Sequence, residues 1–176
     1  MSNQRVVSCT HQQHAQAILD IFNEAIANST ALYDYKPRAP SSMASWFNAK
    51  DTGNFPVIGI EDAAGSLLGF CSYGSFRSWP AYKYSVEHSV YVHKDHRGKG
   101  LGMQLMRLLI EEASKRGVHT LIGGIDVDNG GSIALHERLG FKRVGTLPQV
   151  GFKFGRWLDL AFYQLILKAP LNPVDG

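Results

Sequence analysis

The sequence predicts one α/β domain, and three observations carry that expectation. Short runs of alternating β-formers are separated by stretches whose apolar residues recur at helical spacing. Two of those helical stretches stop at a glycine, Gly117 and Gly140, just before the next extended run. Ahead of the first of them lies a strand that feeds directly into a glycine-rich turn and that helix. The 176 residues fit one domain of ordinary size, with 44% hydrophobic and 19% charged residues in the globular range.

In chain order, Arg5 to Ser8 is a first strand. Thr10 is placed to cap a helix over 11–28, in which Ile18, Leu19, Phe22 and Ile26 form one apolar face. Pro37 and Pro40 break the chain, and Ser41 and Ser42 lead into a short helix over 43–50. Strands over 57–61 and 67–76 are joined by a turn at Asp62 to Gly65. Residues 77–83 form a loop by their proline, and 87–93 alternate as a strand. A helix over 101–115 buries Leu105, Met106, Leu109, Ile110 and Ala113. A strand over 120–127, a helix over 129–139 and strands over 141–146 and 157–167 complete the pattern. The expected domain is 1–168, with a disordered tail over 169–176 carrying Pro170 and Pro173.

A net charge of +3, from 18 Lys and Arg against 15 Asp and Glu, is too mild for nucleic acid and suits a small anionic ligand. Cys9 and Cys71 make neither a disulfide framework nor a metal site. The N-terminus lacks the apolar core of a signal peptide, and no run approaches the roughly 18 apolar residues of a membrane span. A cytoplasmic protein with no membrane or nucleic-acid partner and no metal is expected.

Arg97-Gly98-Lys99-Gly100-Leu101-Gly102 is the strongest motif. The first turn of a helix has free N–H groups and partial positive charge, so an anion fits there. Glycines let the backbone approach phosphate oxygens, and Arg97 and Lys99 add charge. A P-loop would need Ser or Thr after the lysine, and a dinucleotide fingerprint needs a different glycine spacing near the start of its fold. The remaining alternative is a tight connection that binds nothing, which three glycines and two cations in six residues disfavour. Further on, Asn129 to Phe141 reads NGGSIALHERLGF. Taken alone it is a helix capped by Asn129, but it follows one strand after the glycine-rich helix, where open α/β sheets bind ligands.

These motifs resemble the GNAT superfamily of N-acetyltransferases. Arg97-x-x-Gly100-x-Gly102 is similar to its acyl-CoA signature and 129–141 to its second signature. EHSVYVHKDHRGKGLG, NGGSIALHERLGF and VGFKFGRWLDL, in this order, resemble its phosphinothricin and methionine sulfoximine acetyltransferase branch. The resemblance covers most of the chain, from the first helix to Lys168. It implies a mixed, strongly bent sheet flanked by helices, acetyl-CoA as co-substrate, and a homodimer. It also implies that the backbone of Val90, Tyr91 and Val92 pairs with the pantetheine amides. The amides from Gly98 through Lys99, Gly100, Leu101 and Gly102 to Met103 would hold the pyrophosphate, with Asn129 on the pantetheine arm.

Acetyl transfer to an amine needs a base, a stabilised oxyanion and a departing thiolate. Strand alternation puts Glu87, Ser89 and Tyr91 on one face and His88, Val90 and Val92 on the other. Glu87, just upstream of the cofactor-pairing segment, is the expected base, against the alternative of a solvated edge residue. His136 stands where the superfamily often has a tyrosine that protonates the thiolate; a helix-surface histidine is the plain alternative. The oxyanion donor is expected to be a backbone N–H near Val90. For the acceptor, Arg77 would bind a carboxylate and Trp79 wall off the side chain, with Ser78 between them. In the resembled branch this loop and Glu87, His88 and Ser89 line the substrate site. Lys153, Arg156, Glu24 and Tyr33 are further candidates, and Asp126 to Asp128 is a charged stretch without an assigned part. Two other functions stay open: a peptide or protein N-acetyltransferase, which would need an open groove, and a non-catalytic acyl-CoA sensor, which would need neither Glu87 nor His136.

Overall fold

Thr10 shows how local chemistry sets the first elements. After strand β1 (Arg5–Ser8), its hydroxyl accepts from the Gln13 amide and starts helix α1 (His11–Asn28). Its own amide donates to His14 Nδ1 at 2.9 Å, so His14 Nε2 carries the ring proton and donates to Glu61 Oε1 at 3.0 Å. Arg5 closes on the other Glu61 oxygen at 2.6 Å. This cluster, with His14 and Glu61 buried and Arg5 reaching in from the surface, joins β1, α1 and the end of β2 (Val57–Glu61), and the Arg5 hydrogen bond is the main reason the Glu61 carboxyl lies below its ordinary pKa.

The computed structural model describes residues 4–176. The remaining elements are α2 (Ser42–Thr52), β3 (Leu67–Ser75), β4 (Ser85–Val92), α3 (Leu101–Lys115), β5 (Thr120–Asp126), α4 (Gly130–Arg138), β6 (Lys142–Lys153) and β7 (Arg156–Ile166). The strands form a mixed sheet in the order β1-β2-β3-β4-β5-β7-β6. Every neighbouring pair is antiparallel except β4 and β5. That parallel pairing covers only Ser85 to Glu87 against Thr120 to Ile122. Beyond it β4 continues beside β3 to Val92 and β5 continues beside β7 to Asp126, so the sheet parts in its middle. The mixed sheet implied by the resemblance is thus present, and its opening is where the site forms.

Each face of the sheet carries a core. Leu105, Met106, Leu109 and Ala113 of α3 pack on Cys71, Leu121 and Tyr163. Ile18, Leu19 and Phe22 of α1 and Met43 and Phe47 of α2 pack on Phe70. Both cysteines are free and buried, and burial raises their thiol pKa values, that of Cys9 to about 12. Among the described residues no helix is long and apolar enough to cross a membrane.

Strand β6 departs most from the sequence expectation. It does not stop at Thr146 but runs to Lys153, because the register shift between Leu147 and Gly151 absorbs Pro148 as a bulge. A proline is tolerated there because β6 is an edge strand. Gln149, at φ 53°, donates its amide to Asp159 across the bulge. The hairpin closes at Phe154 and Gly155, both at positive φ, as the favoured two-residue turn requires. The tail after Ala169 carries neither helix nor strand; it touches the body through Val174 on the Tyr84 hydroxyl and the Ala169 carbonyl on His119 Nδ1.

Candidate active site

A cavity of about 440 Å³ opens where β4 and β5 part. Its walls are residues 30–33 after α1, Lys50 at the end of α2, Gly74 and Ser75 of β3, 87–91 of β4, 123–126 of β5, and Asn129, Ser132 and His136 of α4. Of the expected site residues, Glu87, His88, Ser89, Val90, Tyr91, Asn129 and His136 are brought together here, with Tyr33 from the loop after α1.

Glu87 faces the cavity. The residue is exposed into it, and the partial desolvation by the cavity walls raises its carboxyl pKa, with the nearby Arg77 charge offsetting part of that. Strand β5 comes close because it presents glycines. A Cβ at Gly123 would lie 2.9 Å from the His88 ring, and one at Gly124 would lie 3.5 Å from Glu87 Oε1. Any larger residue at 123 would push β5 away from the His88 ring. Sequence reading passed over this glycine pair, although two adjacent glycines in a strand interior signal a close approach.

His88 and His136 join Nε2 to Nε2 at 2.9 Å, with rings nearly stacked and both side chains buried. His136 Nδ1 lies 2.7 Å from the Ser132 carbonyl, which can only accept, so Nδ1 carries the His136 proton. In the neutral pair His88 Nε2 must then donate to His136 Nε2. Held this way, His136 offers no free N–H to a departing thiolate. Burial, then the neighbouring His136, pulls the His88 pKa down to about 3, and burial lowers that of His136. The pair is therefore neutral at physiological pH. The unfolded chain, with histidines near 6.5, takes up protons first as the medium acidifies. Stability from this source is complete above about pH 6.5 and declines from there toward the folded values, by up to about 1.4 kcal/mol per pH unit for each histidine. Denaturant midpoints between about pH 7 and 5 are expected to fall more steeply for the parent than for His88→Gln; equal slopes would mean the pair is not the source.

The glycine-rich turn lies at the end of β4. Gly98 and Gly100 have φ of 74° and 81°, which a side chain resists, and Gly100 is the N-cap of α3. A Cβ at either would meet nothing within 4 Å, so space beside the turn is open. The first amides of α3, on Leu101, Gly102 and Met103, lie in the turn that has no intrahelical acceptors. Arg97 pairs with Glu24 of α1 and donates to the Val92 carbonyl, while Lys99 donates to the Asp95 carbonyl. The backbone of β4 beyond Glu87 has no strand on its β5 side. These features fit a ligand with an anionic group at the turn and amides along β4. Asn129 caps α4 through its bond from the Ser132 amide and also lines the cavity.

Other candidates lie elsewhere. Arg77, Ser78 and Trp79 are exposed and outside the cavity lining, because β3 ends at Ser75 and the chain turns away before Pro80. Arg77 instead stacks on the Phe76 ring. Arg156 bridges Asp126 and Asp128, which accounts for that charged stretch. Lys153 is buried, and its ammonium donates to the carbonyls of Ile26, Ser29 and Leu32 at 2.7, 2.9 and 2.6 Å. It closes the C-terminus of α1 and fastens the cavity wall at 30–33 to the β6–β7 hairpin. Lys153→Met leaves three carbonyls without their donor. A loss of about 2 kcal/mol, or roughly 5 °C in Tm, is expected, measured by thermal unfolding. Among the described residues no group of three or more His, Cys, Asp and Glu is placed to hold a metal ion.

Comparison with known proteins agrees with this architecture. The profile of the acetyltransferase (GNAT) family matches residues 17–141. An L-methionine sulfoximine/L-methionine sulfone acetyltransferase of Pseudomonas paraeruginosa is 48% identical over 150 residues, covering 85% of this chain and 87% of the relative. The crystal structure of an N-acetyltransferase from Staphylococcus aureus Mu50 superposes with a TM-score of 0.91 at 47% identity, over 94% of this chain and 99% of that one. A phosphinothricin acetyltransferase from Sinorhizobium meliloti, solved in complex with acetyl-CoA, gives a TM-score of 0.91 at 31% identity, over 98% and 93%. With the parted sheet, the glycine turn and the profile match in agreement, this chain belongs to the acetyltransferase (GNAT) family.

Proposed function

We propose that the protein transfers the acetyl group of acetyl-CoA to the α-amino group of a small amino-acid-like acceptor of the methionine sulfoximine, methionine sulfone or phosphinothricin type. The observation that carries this is the position of Glu87: a solvent-reached carboxylate on the wall of a cavity that lies beside the unpaired backbone of β4. The relatives that acetylate such acceptors support it. Glu87 takes a proton from the acceptor ammonium, directly or through one water. The freed amine attacks the thioester carbon, and the carbonyl oxygen gains charge beside a backbone N–H near Val90. The carbon–sulfur bond then breaks and the nitrogen sheds its second proton to solvent, giving the N-acetyl product and the CoA thiolate. While His88 holds its Nε2, His136 serves to fix the cavity wall, and solvent supplies the thiolate proton.

The pyrophosphate would sit on the amides of residues 98–103 beside Arg97 and Lys99, and Asn129 would meet the pantetheine arm. The size of the cavity favours a small acceptor over a peptide, since a cavity of about 440 Å³ lies within the range of small-molecule sites. We place the enzyme in the cytoplasm as a homodimer. Val150, Phe152 and Trp157 are 51%, 45% and 59% exposed on the β6–β7 hairpin, an apolar edge suited to a second copy. A monomeric mass by light scattering over a wide concentration range would count against the dimer. A thiol-release assay with an amine panel tests the activity. Preferred turnover of the three named acceptors is expected; polyamines or peptides outcompeting them, or no turnover at all, would overturn it.

A further inference from the structure

Two lysines of this chain are withdrawn from bulk water, and they differ in how their ammonium groups are used. Lys153 places its three N–H groups on three carbonyls. Lys50 has one such partner, the Tyr73 carbonyl at 2.8 Å. The Trp46 and Phe55 rings lie farther off, 5.3 and 5.9 Å from Nζ. Among the described residues it has no carboxylate within ion-pair distance. Two of its donors are therefore left for the cavity it lines. Its position follows from helix geometry: Met43, Phe47 and Lys50 stand at i, i+4 and i+7, so Lys50 shares the buried face of α2 and is carried down onto the sheet. Burial without a counter-charge pulls its pKa to about 8. A methionine would fill the same space without that cost, so an unpaired ammonium here calls for an anion from outside the chain.

The cavity fixes where that anion lies. Gly74 and Glu87 are direct cross-strand partners, so their Cβ directions share one face of the sheet. Lys50 Nζ would be 3.8 Å from a Cβ on Gly74, and Glu87 Oε1 would be 3.5 Å from a Cβ on Gly124. The cation thus stands over β3 and the carboxylate over β5, one strand to each side of β4. Cross-strand Cβ atoms lie about 5 Å apart, and Nζ and Oε1 each reach a few ångströms further in opposite directions, so the two groups stand roughly 10 Å apart. An amino-acid zwitterion with one hydrogen bond at its ammonium and one at its carboxylate spans about 9 Å. Resting on the function proposed above, we propose that Lys50 binds the α-carboxylate of the acceptor, holding its amine toward Glu87.

Steady-state kinetics and calorimetric titration of methionine sulfone and of its carboxamide, with the parent, Lys50→Met, Lys50→Arg and Arg77→Met, test this. One charge-assisted hydrogen bond corresponds to a KM or Kd change of about 10–100-fold. Lys50→Met is expected to raise KM for the amino acid by that factor, with little change in KM for acetyl-CoA or in Tm, and Lys50→Arg to restore part of it. For the carboxamide, which lacks the anion, the parent and Lys50→Met should be alike. Equal losses for amino acid and carboxamide, or a loss with Arg77→Met alone, would overturn the assignment while the acetyltransferase function stands. A parent that acetylates none of the acceptors would remove that function instead, and calorimetry of the amino acid against its carboxamide would still decide for or against Lys50.

Discussion

Glu87→Gln lowers kcat by about 10²–10⁴-fold at neutral pH and leaves acetyl-CoA affinity nearly unchanged. An α-amino group is mostly protonated at neutral pH, with a reference pKa near 7.7–8.0 in peptides, so attack requires a proton acceptor. Glutamine keeps the size of the side chain and removes its basicity. Partial desolvation raises the Glu87 carboxyl toward the working pH, where a base is most effective, with Arg77 pulling the other way. The parent rate should therefore fall as the pH drops through that raised value. The variant should lack this limb and recover part of its rate at higher pH, where free amine accumulates. PH-dependent kinetics with calorimetric titration of acetyl-CoA check both halves. An unchanged kcat would remove Glu87 as the base, and lost cofactor binding would assign it a structural role.

Gly100→Asp is expected to weaken acetyl-CoA binding by about 100-fold or more. At φ 81° an aspartate is strained, though the open space around the position means it does not clash. The larger effect is chemical. Gly100 is the N-cap of α3, so an aspartate there puts a negative charge beside the free amides of the first turn. The carboxylate would stand in the open space beside the turn and repel a pyrophosphate bound there. Gly100→Ala carries the backbone strain alone and should lose much less. Calorimetric titration separates the two, and unchanged affinity in the aspartate variant would remove the glycine turn from the cofactor site.

Features that depend on neighbouring residues were legible in the sequence. Helices α1 and α3 begin and end where apolar spacing, Thr10 and Gly117 placed them, because helix formation and capping act over a few residues. The positions of Glu87, Asn129 and His136 on one cavity followed from strand alternation and from the resemblance. Features that depend on register across the sheet were not legible. The His88–His136 bond joins residues 48 apart, and no local pattern signals it. Lys50 read only as the end of a short helix, since its place on the cavity depends on how α2 packs against β3. Arg77 looked like the carboxylate anchor because arginine suits that chemistry, but composition does not say which way a loop turns. The extension of β6 was hidden by Pro148, which ends a central strand but only kinks an edge.

The short parallel contact between β4 and β5 has a mechanical consequence. The sheet amounts to two antiparallel halves, β1-β2-β3-β4 and β5-β7-β6, joined along three residue pairs. Each half is laced within itself, and the core under α3 spans both, with Leu105 and Met106 packed among Cys71 of β3, Leu121 of β5 and Tyr163 of β7. A molecule lying in the split touches both halves, since β4 and β5 each line the cavity. Its binding energy adds to the cohesion between the halves, and the loaded enzyme is held together by its own substrates.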